Sequence, residues 1–346
     1  MTRVLALLLL AVCCRAGDVF EQARRLGRGV NMGNSLEAPK GATWGRAFGP
    51  EDFDRIRAAG FDSVRIPVRW ADHAGKEAPF AIEAGFMEKV DGLVRVALER
   101  KLAVVLNVHH YEALDADPAG QRPRFVALWK QIGERFRDAP DELHFELSNE
   151  PHGAHTAELW NANLTAALAE VRRLHPTRAV HVGGVQWNRA ATLKDLRLPA
   201  DDRHLIGHFH CYDPFAFTHQ GASWTKGSDK FIGTRWAGTD AEKEALRRTF
   251  GLATAWSKAE GRPVFLGEFG AYGKHASTED RARWTAFMAG TARELGIPFA
   301  YWEYQAGFGI WDPAARRWRQ ELLDALMRWL ARRTPLGMCL LLEIRK

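Results

Sequence analysis

The sequence predicts an α/β chain folded as a single-domain (β/α)8 TIM barrel, and three observations point there. Short apolar runs alternate with longer amphipathic stretches along most of the chain, the pattern of a parallel sheet flanked by helices. Eight such apolar runs can be counted, the number that closes an α/β barrel. The 346 residues show no linker, low-complexity tract or repeat beyond that rhythm, and barrels of about 250 residues or more are routinely one domain.

The elements follow in order. Arg28 to Asn34 reads as the first strand and its loop, and Pro50 to Ala59 as a helix with Phe53 and Ile56 at helical spacing. Ser63 to Pro67 is the second strand. Phe86 to Arg100 is amphipathic, with Val90, Leu93, Val94 and Ala97 on one face. Ala103 to Val108 is a fully apolar third strand, followed by a helix over Pro123 to Phe136. Leu143 to Asn149 is the fourth strand, and the helix Ala157 to His175 is stopped by Pro176. Ala179 to Gly183 and Leu205 to His210 are the fifth and sixth strands, with the helix Asp240 to Glu260 after them. Val264 to Glu268 is the seventh strand, Thr278 to Leu295 a helix, Phe299 to Trp302 the eighth strand, and Gln320 to Ala331 the closing helix.

The two ends read differently. Residues 1–16 have the pattern of a secretory signal: Arg3, an apolar core from Val4 to Val12, and the small residue Ala16 at a cleavage point. That run is too short for a membrane span, and Val12 and Cys13 fit poorly before a lipidated cysteine. The catalytic domain is placed at 17–335, and 336–346 is an apolar tail, either an added packing segment or an unordered extension. Without the leader only Cys211 and Cys339 remain, so neither a disulfide framework nor a metal-type cysteine spacing is expected. The net charge of +6 is scattered among acids with no basic run, which argues against a nucleic-acid partner. A secreted monomer with no cofactor, no metal and no stable membrane association is expected.

Barrel enzymes carry their chemistry where strands end at the C-terminal face. Here those ends hold a polar and aromatic set. Asn31, Asn34 and Glu37 follow strand one, and Arg65 lies in strand two. His109, His110 and Tyr111 follow strand three, and Asn149 and Glu150 close strand four. Gln186 and Trp187 follow strand five; His210 and Tyr212 end strand six, with Trp224 in its long loop. Glu268 ends strand seven and Trp302 strand eight. Pro151 lacks an N–H and biases Glu150 toward extended backbone, so the fourth strand is expected to stop at that carboxyl.

Two carboxyl groups in one cleft are what glycosidic hydrolysis needs, one protonating the leaving oxygen and the other attacking carbon or activating water. Strands four and seven face each other across an eight-stranded ring, so Glu150 and Glu268 can meet at the retaining separation of about 5–5.5 Å. An arginine in a buried strand requires an anionic partner. Arg65 is expected to support Glu268, with the Tyr212 hydroxyl as second donor, leaving Glu150 protonated as the acid. Asn149 would donate to a sugar 2-hydroxyl, His109 and His210 would orient, and Trp302 would floor the cleavage point with Trp187 and Trp224 beside it. Trp129, Trp160, Trp256, Trp284 and Trp329 read as helix or core packing. Alternation puts Glu146 on the face of Glu150 and turns Glu303 away toward a helix-facing ion pair.

These stretches together resemble glycoside hydrolase family 5, and within it the thermophilic-type endoglucanases that also cleave mannan. The resemblance runs from about Leu26 to Leu330. It rests on Gly29-Val30-Asn31-Met32-Gly33-Asn34 with Glu37, Val64-Arg65-Ile66-Pro67, Asn107-Val108-His109-His110-Tyr111, Leu147-Ser148-Asn149-Glu150-Pro151, His210-Cys211-Tyr212, Gly267-Glu268-Phe269-Gly270 and Tyr301-Trp302-Glu303. It implies retaining endo-β-1,4-glycosidase activity on a β-linked polysaccharide, glucan or mannan. Glu150 would be acid/base and Glu268 nucleophile, with Arg65, His109, Asn149, His210, Tyr212 and Trp302 around them. Asn34, Glu37, His110 and Trp224 would bind sugar beyond the cleavage point. Two other classes compete: a metal hydrolase using His208 and His210 with His109 and His110, and a noncatalytic carbohydrate binder. The first leaves the paired glutamates without a role, and the second predicts the loss of one of them.

Overall fold

The computed structural model describes residues 18–327, so the expected leader, the expected tail and the last residues of the expected closing helix, with Trp329 and Cys339, lie outside it. Eight parallel strands close into one barrel in sequence order. They are β1 Arg28–Asn31, β2 Ser63–Ile66, β3 Ala103–Asn107, β4 Leu143–Glu146, β5 Val180–Gly183, β6 Leu205–His210, β7 Val264–Glu268 and β8 Phe299–Tyr301. Closure comes from β8 pairing with β1, Gly29 opposite Ala300.

The expected outer helices form at Pro50–Ala58, Ala84–Glu99, Arg122–Arg135, Ala157–Leu174, Asp240–Glu260, Thr278–Glu294 and Gln320–Met327. Local sequence explains their ends. Thr239 and Glu242 form a reciprocal capping box, and Gly261 takes the left-handed position that ends the same helix. Thr156 caps the helix Ala157–Leu174 by accepting from the Leu159 amide.

Three features stand beyond or against the sequence reading. The fifth βα unit has no full helix; a short turn at Val185–Asn188 and a 3-10 segment at Ala190–Asp195 lead to β6. An unanticipated helix, Val19–Leu26, lies before the first strand. Its Val19, Ala23 and Leu26 pack with Val105, Ile206, Phe265 and Ala300 as a separate apolar cluster that closes the N-terminal end of the barrel. The ladder of β4 ends at Glu146, short of Asn149. Glu150 is not extended but has φ of 49°, held there by His152 Nδ1 on its carbonyl (2.7 Å) and by His210 on its carboxyl. A non-glycine residue in that region costs about 1–3 kcal/mol and is found where surrounding contacts over-determine it.

The strand ends are pinned from outside. Indole N–H groups of Trp70, Trp129 and Trp160 donate to the carbonyls of Asn107 (2.9 Å), Leu147 (2.9 Å) and Gly183 (2.8 Å). Strand-end carbonyls have no ladder partner, and a buried one left bare is costly. Trp129, Trp160, Trp256 and Trp284 are packing residues, as expected, and two of them also fix the lip.

Candidate active site

Alternation along the strands turns Asn31, Arg65, Asn107, Glu146, His210 and Glu268 into the C-terminal mouth of the barrel. Arg65 is the hub, fully buried. Each of its five N–H groups is used. Nε and Nη2 hold Glu146 at 2.6 and 2.8 Å. Nη1 reaches Glu268 Oε1 at 2.7 Å and Asn31 Oδ1 at 2.8 Å. Nη2 also reaches Asn149 Oδ1 at 2.7 Å. Glu146, a rival carboxyl in the sequence, is thus the paired anion of Arg65; that guanidinium outweighs burial and holds it below its ordinary value.

Glu268 is held at both oxygens. Opposite the Arg65 contact, the Tyr212 hydroxyl donates to Oε2 at 2.7 Å. Burial pushes Glu268 above the usual carboxylate range, while His210, Arg65 and Tyr212 pull it back. The sequence reading counted the cation and not the burial that opposes it. Glu150 has no guanidinium on it; His210 Nδ1 meets Oε1 at 2.7 Å. Burial raises it to about 7. Its side chain keeps 22% exposure against 6% for Glu268, so Glu150 is the carboxyl open to the cleft. A carboxylate oxygen of each, with a ring nitrogen of His210, lies within 4.8 Å of the others.

Register explains how His210 comes between them. Phe209 pairs with Leu266 but His210 pairs with Glu268, an irregularity in the β6–β7 ladder. Asn107 fixes the ring of His109. Its Oδ1 accepts from the Val68 amide, so its Nδ2 donates to His109 Nδ1 at 3.1 Å and the proton of that imidazole lies on Nε2. Asn149 spends its oxygen on Arg65, leaving its NH2 as the end available to a hydroxyl. Trp302 stacks parallel to His109 at 5.8 Å. Gly33 makes room for that indole, since a Cβ there would stand 3.0 Å from it.

The remaining expected residues lie farther out. Trp187 is 54% exposed and stacked on His152; Trp224 is 59% exposed beside Tyr272 and Phe308. His110 stands edge-on to His109, with the exposed Trp44 against it. Trp44 was not anticipated, being far from any strand end in sequence. Asn34 is half-buried at φ 62°. Glu37 is buried and accepts the backbone N–H groups of Asn34 and Ser35, so it braces the loop that presents Asn34. Glu303 makes no helix-facing ion pair among the described residues; it accepts the amides of Gln305, Ala306 and Phe308. An acceptor among amides needs no cation, and the alternation rule lapses once β8 has ended at Tyr301.

Two groups here have the donor types of a metal site: Glu146, His208 and His210, and Glu150, His210 and Glu268. Arg65 is bonded to a carboxylate of each, so a cation would meet a fixed positive charge. The His109 and His110 of the metal reading join neither group.

Comparison with known proteins gives a consistent match. The model of the family described as cellulase (glycosyl hydrolase family 5) matches residues 27–307. Endoglucanase H of Acetivibrio thermocellus is 36% identical over 319 residues, which are 90% of this chain and 34% of that protein. This chain therefore spans about a third of the length of that relative. Endoglucanase B of Clostridium cellulovorans is 28% identical, with 87% of this chain and 73% of that protein covered. Among solved structures, Thermotoga maritima Cel5A in complex with mannotriose superposes with a TM-score of 0.87 at 42% identity, covering 90% of this chain and 100% of that one. Its complex with cellobiose matches equally, at 0.87 and 42%.

Proposed function

The chain belongs to the cellulase family, glycosyl hydrolase family 5, and is an endoglucanase-type glycoside hydrolase; from that premise we propose that it cleaves β-1,4-glucan internally by double displacement, with Glu150 as acid/base and Glu268 as nucleophile. One observation carries the assignment: two carboxylates within 4.8 Å, differently dressed. That gap supports the retaining geometry of about 5–5.5 Å over the about 6.5–9.5 Å that leaves room for an inverting water.

In the first step Glu268, aligned by Arg65 and Tyr212, attacks the anomeric carbon, and Glu150 passes its proton to the glycosidic oxygen as the C–O bond breaks. In the second, Glu150 takes a proton from water, whose oxygen displaces Glu268. The Asn149 NH2 meets the 2-hydroxyl, the His109 Nε2–H a neighbouring hydroxyl, and Trp302 floors the ring. Asn34, His110, Trp187 and Trp224 serve adjoining sugars, and Glu37 holds the Asn34 loop.

NMR of the first-formed sugar should show the β-anomer; early α-anomer would mean direct attack by water. The proton on Glu150 must be present in the free enzyme. With that group raised to about 7, kcat/KM should fall as pH climbs past that value. A profile flat to pH 9 would remove Glu150 from the acid role.

A second reading is activity on mannan as well. Its support is that Thermotoga maritima Cel5A, at 42% identity, has been solved with mannotriose and with cellobiose. A panel of carboxymethylcellulose, lichenan, xyloglucan, glucomannan and galactomannan, read by viscosity and reducing ends, tests both substrate class and endo action. Secretion is proposed from the leader pattern in residues 1–16.

A further inference from the structure

Below the two carboxylates the barrel holds imidazoles that this chemistry does not use. His144, His181 and His208, on β4, β5 and β6, are at most 1% exposed. His144 Nδ1 is 3.1 Å from His181 Nε2, and the His181 ring meets His208 edge-on at 5.6 Å. His208 Nε2 is 2.9 Å from His210 Nε2, and His210 Nδ1 is 2.7 Å from Glu150 Oε1. The space is cut for His208: a Cβ on Gly267 would stand 1.9 Å from its Nε2. Burial, with Arg65 nearby, keeps both His208 and His210 neutral.

Two neutral imidazoles joined through their Nε2 atoms share one proton at that contact, and either ring can own it. If His210 donates, its Nδ1 is a bare lone pair that accepts only from a protonated Glu150. If His208 donates, His210 carries Nδ1–H, which favours the Glu150 carboxylate. Glu268 Oε2, 3.7 Å from His210 Nδ1, favours N–H on that nitrogen, but both Glu268 oxygens are already bonded by Arg65 and Tyr212; the opposing bias is set at His208 Nδ1. That atom is buried, has no hydrogen-bond partner, and faces Glu146 Oε2 at 3.8 Å. A carboxylate there favours N–H on Nδ1, which leaves His208 Nε2 as acceptor and makes His210 the donor.

We propose that His208 is a positioning residue that passes the sign of the Glu146 charge through His210 and so retains the proton on Glu150 Oε1 until the glycosidic oxygen takes it. This rests on Glu150 being the acid/base. Once the Glu150 O–H bond has broken toward the leaving group, the carboxylate faces a bare Nδ1. It is then a stronger base toward the water of the second step, and regaining a proton restores the starting state.

The charged surroundings are few. Glu150 is faced by His210 and Glu268, by Arg65 and Glu146, and by His152 and Asp115. His208 is faced by His181, Glu146, Arg65 and His210, while β7 offers only Phe265 and Gly267.

Nitrogen-15 NMR of histidine-labelled wild type should find His210 protonated on Nε2 and His208 on Nδ1. In His208→Leu the basic limb of kcat/KM should move down by about one pH unit, the acidic limb staying, because His210 is freed to carry Nδ1–H. His208→Gln, whose amide oxygen can accept from His210, should restore most of the shift. Nδ1–H on His210 in the wild type, or an unmoved basic limb in His208→Leu, overturns the proposal. Glu150→Ala with an activated aryl glycoside separates the two readings. If the basic limb persists there, the acid assignment falls. If it vanishes there yet ignores His208, only the relay falls.

Discussion

Replacing Glu268 with glycine should lower kcat on β-glucan by about 10⁴-fold or more, because the covalent intermediate can no longer form. The vacated space is not neutral. Arg65 Nη1 and the Tyr212 hydroxyl, which held the two carboxylate oxygens at 2.7 Å each, both point donors into it. A small anion should bind there, and azide added to Glu268→Gly should restore turnover with activated aryl glycosides. Azide would enter from the face that Glu268 uses, so the product should be the α-glycosyl azide. Glu150→Gly makes the converse case. The nucleophile remains, an activated leaving group still departs, and azide in place of water should yield the β-glycosyl azide. The same product from both variants would contradict opposite roles on opposite faces of the ring. No azide product from Glu268→Gly would count against Glu268 as nucleophile.

The sequence made the identity of this site legible because each group stands at a strand end or a few residues from one. Alternation, length and breakers locate strand ends well, and a barrel puts every C-terminal end at one mouth. What stayed hidden depends on how neighbouring strands are offset, which no single strand encodes. Glu146 and Arg65 stand on strands that are not adjacent in the barrel, yet they form its tightest ion pair in the mouth. The sequence reading supplied Arg65 with Glu268 and left Glu146 as a competitor. The His210–Glu268 pairing needs a ladder irregularity that has no local signature. The imidazole column was half visible, since His208 and His210 are two apart and share a face, but joining it to His181 and His144 requires the cross-strand register. At Glu150 the bias toward extended backbone before Pro151 lost to a local hydrogen bond from His152 and a long-range one with His210. The helix Val19–Leu26 was missed because its eight residues carry too few apolar positions to show a helical period.

Arg65→Met should cost about 3–5 kcal/mol of stability at neutral pH, the range for removing one partner of a buried ion pair. Methionine keeps much of the length of the side chain, so the loss is of charge and donors more than volume. It strands the Glu146 and Glu268 carboxylates and the amide oxygens of Asn31 and Asn149 in a buried site. The pH dependence tells charge from packing. In the wild type Glu146 lies below its ordinary value because Arg65 outweighs burial. Its contribution is present above the unfolded pKa of about 4.3 and is lost only as pH falls through the lower folded value. In the variant burial, the largest influence on Glu146, is no longer outweighed by a guanidinium, and its folded pKa rises above the unfolded one. A raised carboxyl then withdraws stability as pH rises from about 4.3 toward the folded value. The gap between wild type and variant in urea unfolding should therefore widen from pH 4.5 to pH 7.5. A gap independent of pH would assign the loss to packing. Adding Glu146→Gln removes one stranded charge, so Arg65→Met should cost less in that background, and strict additivity would deny the coupling. Arg65→Lys keeps the charge but brings three donors to a site where five are used, and it should recover part of the stability and little of the activity. The shortfall in activity would measure how far the aim of Glu268, rather than its charge alone, depends on the planar fork beneath it.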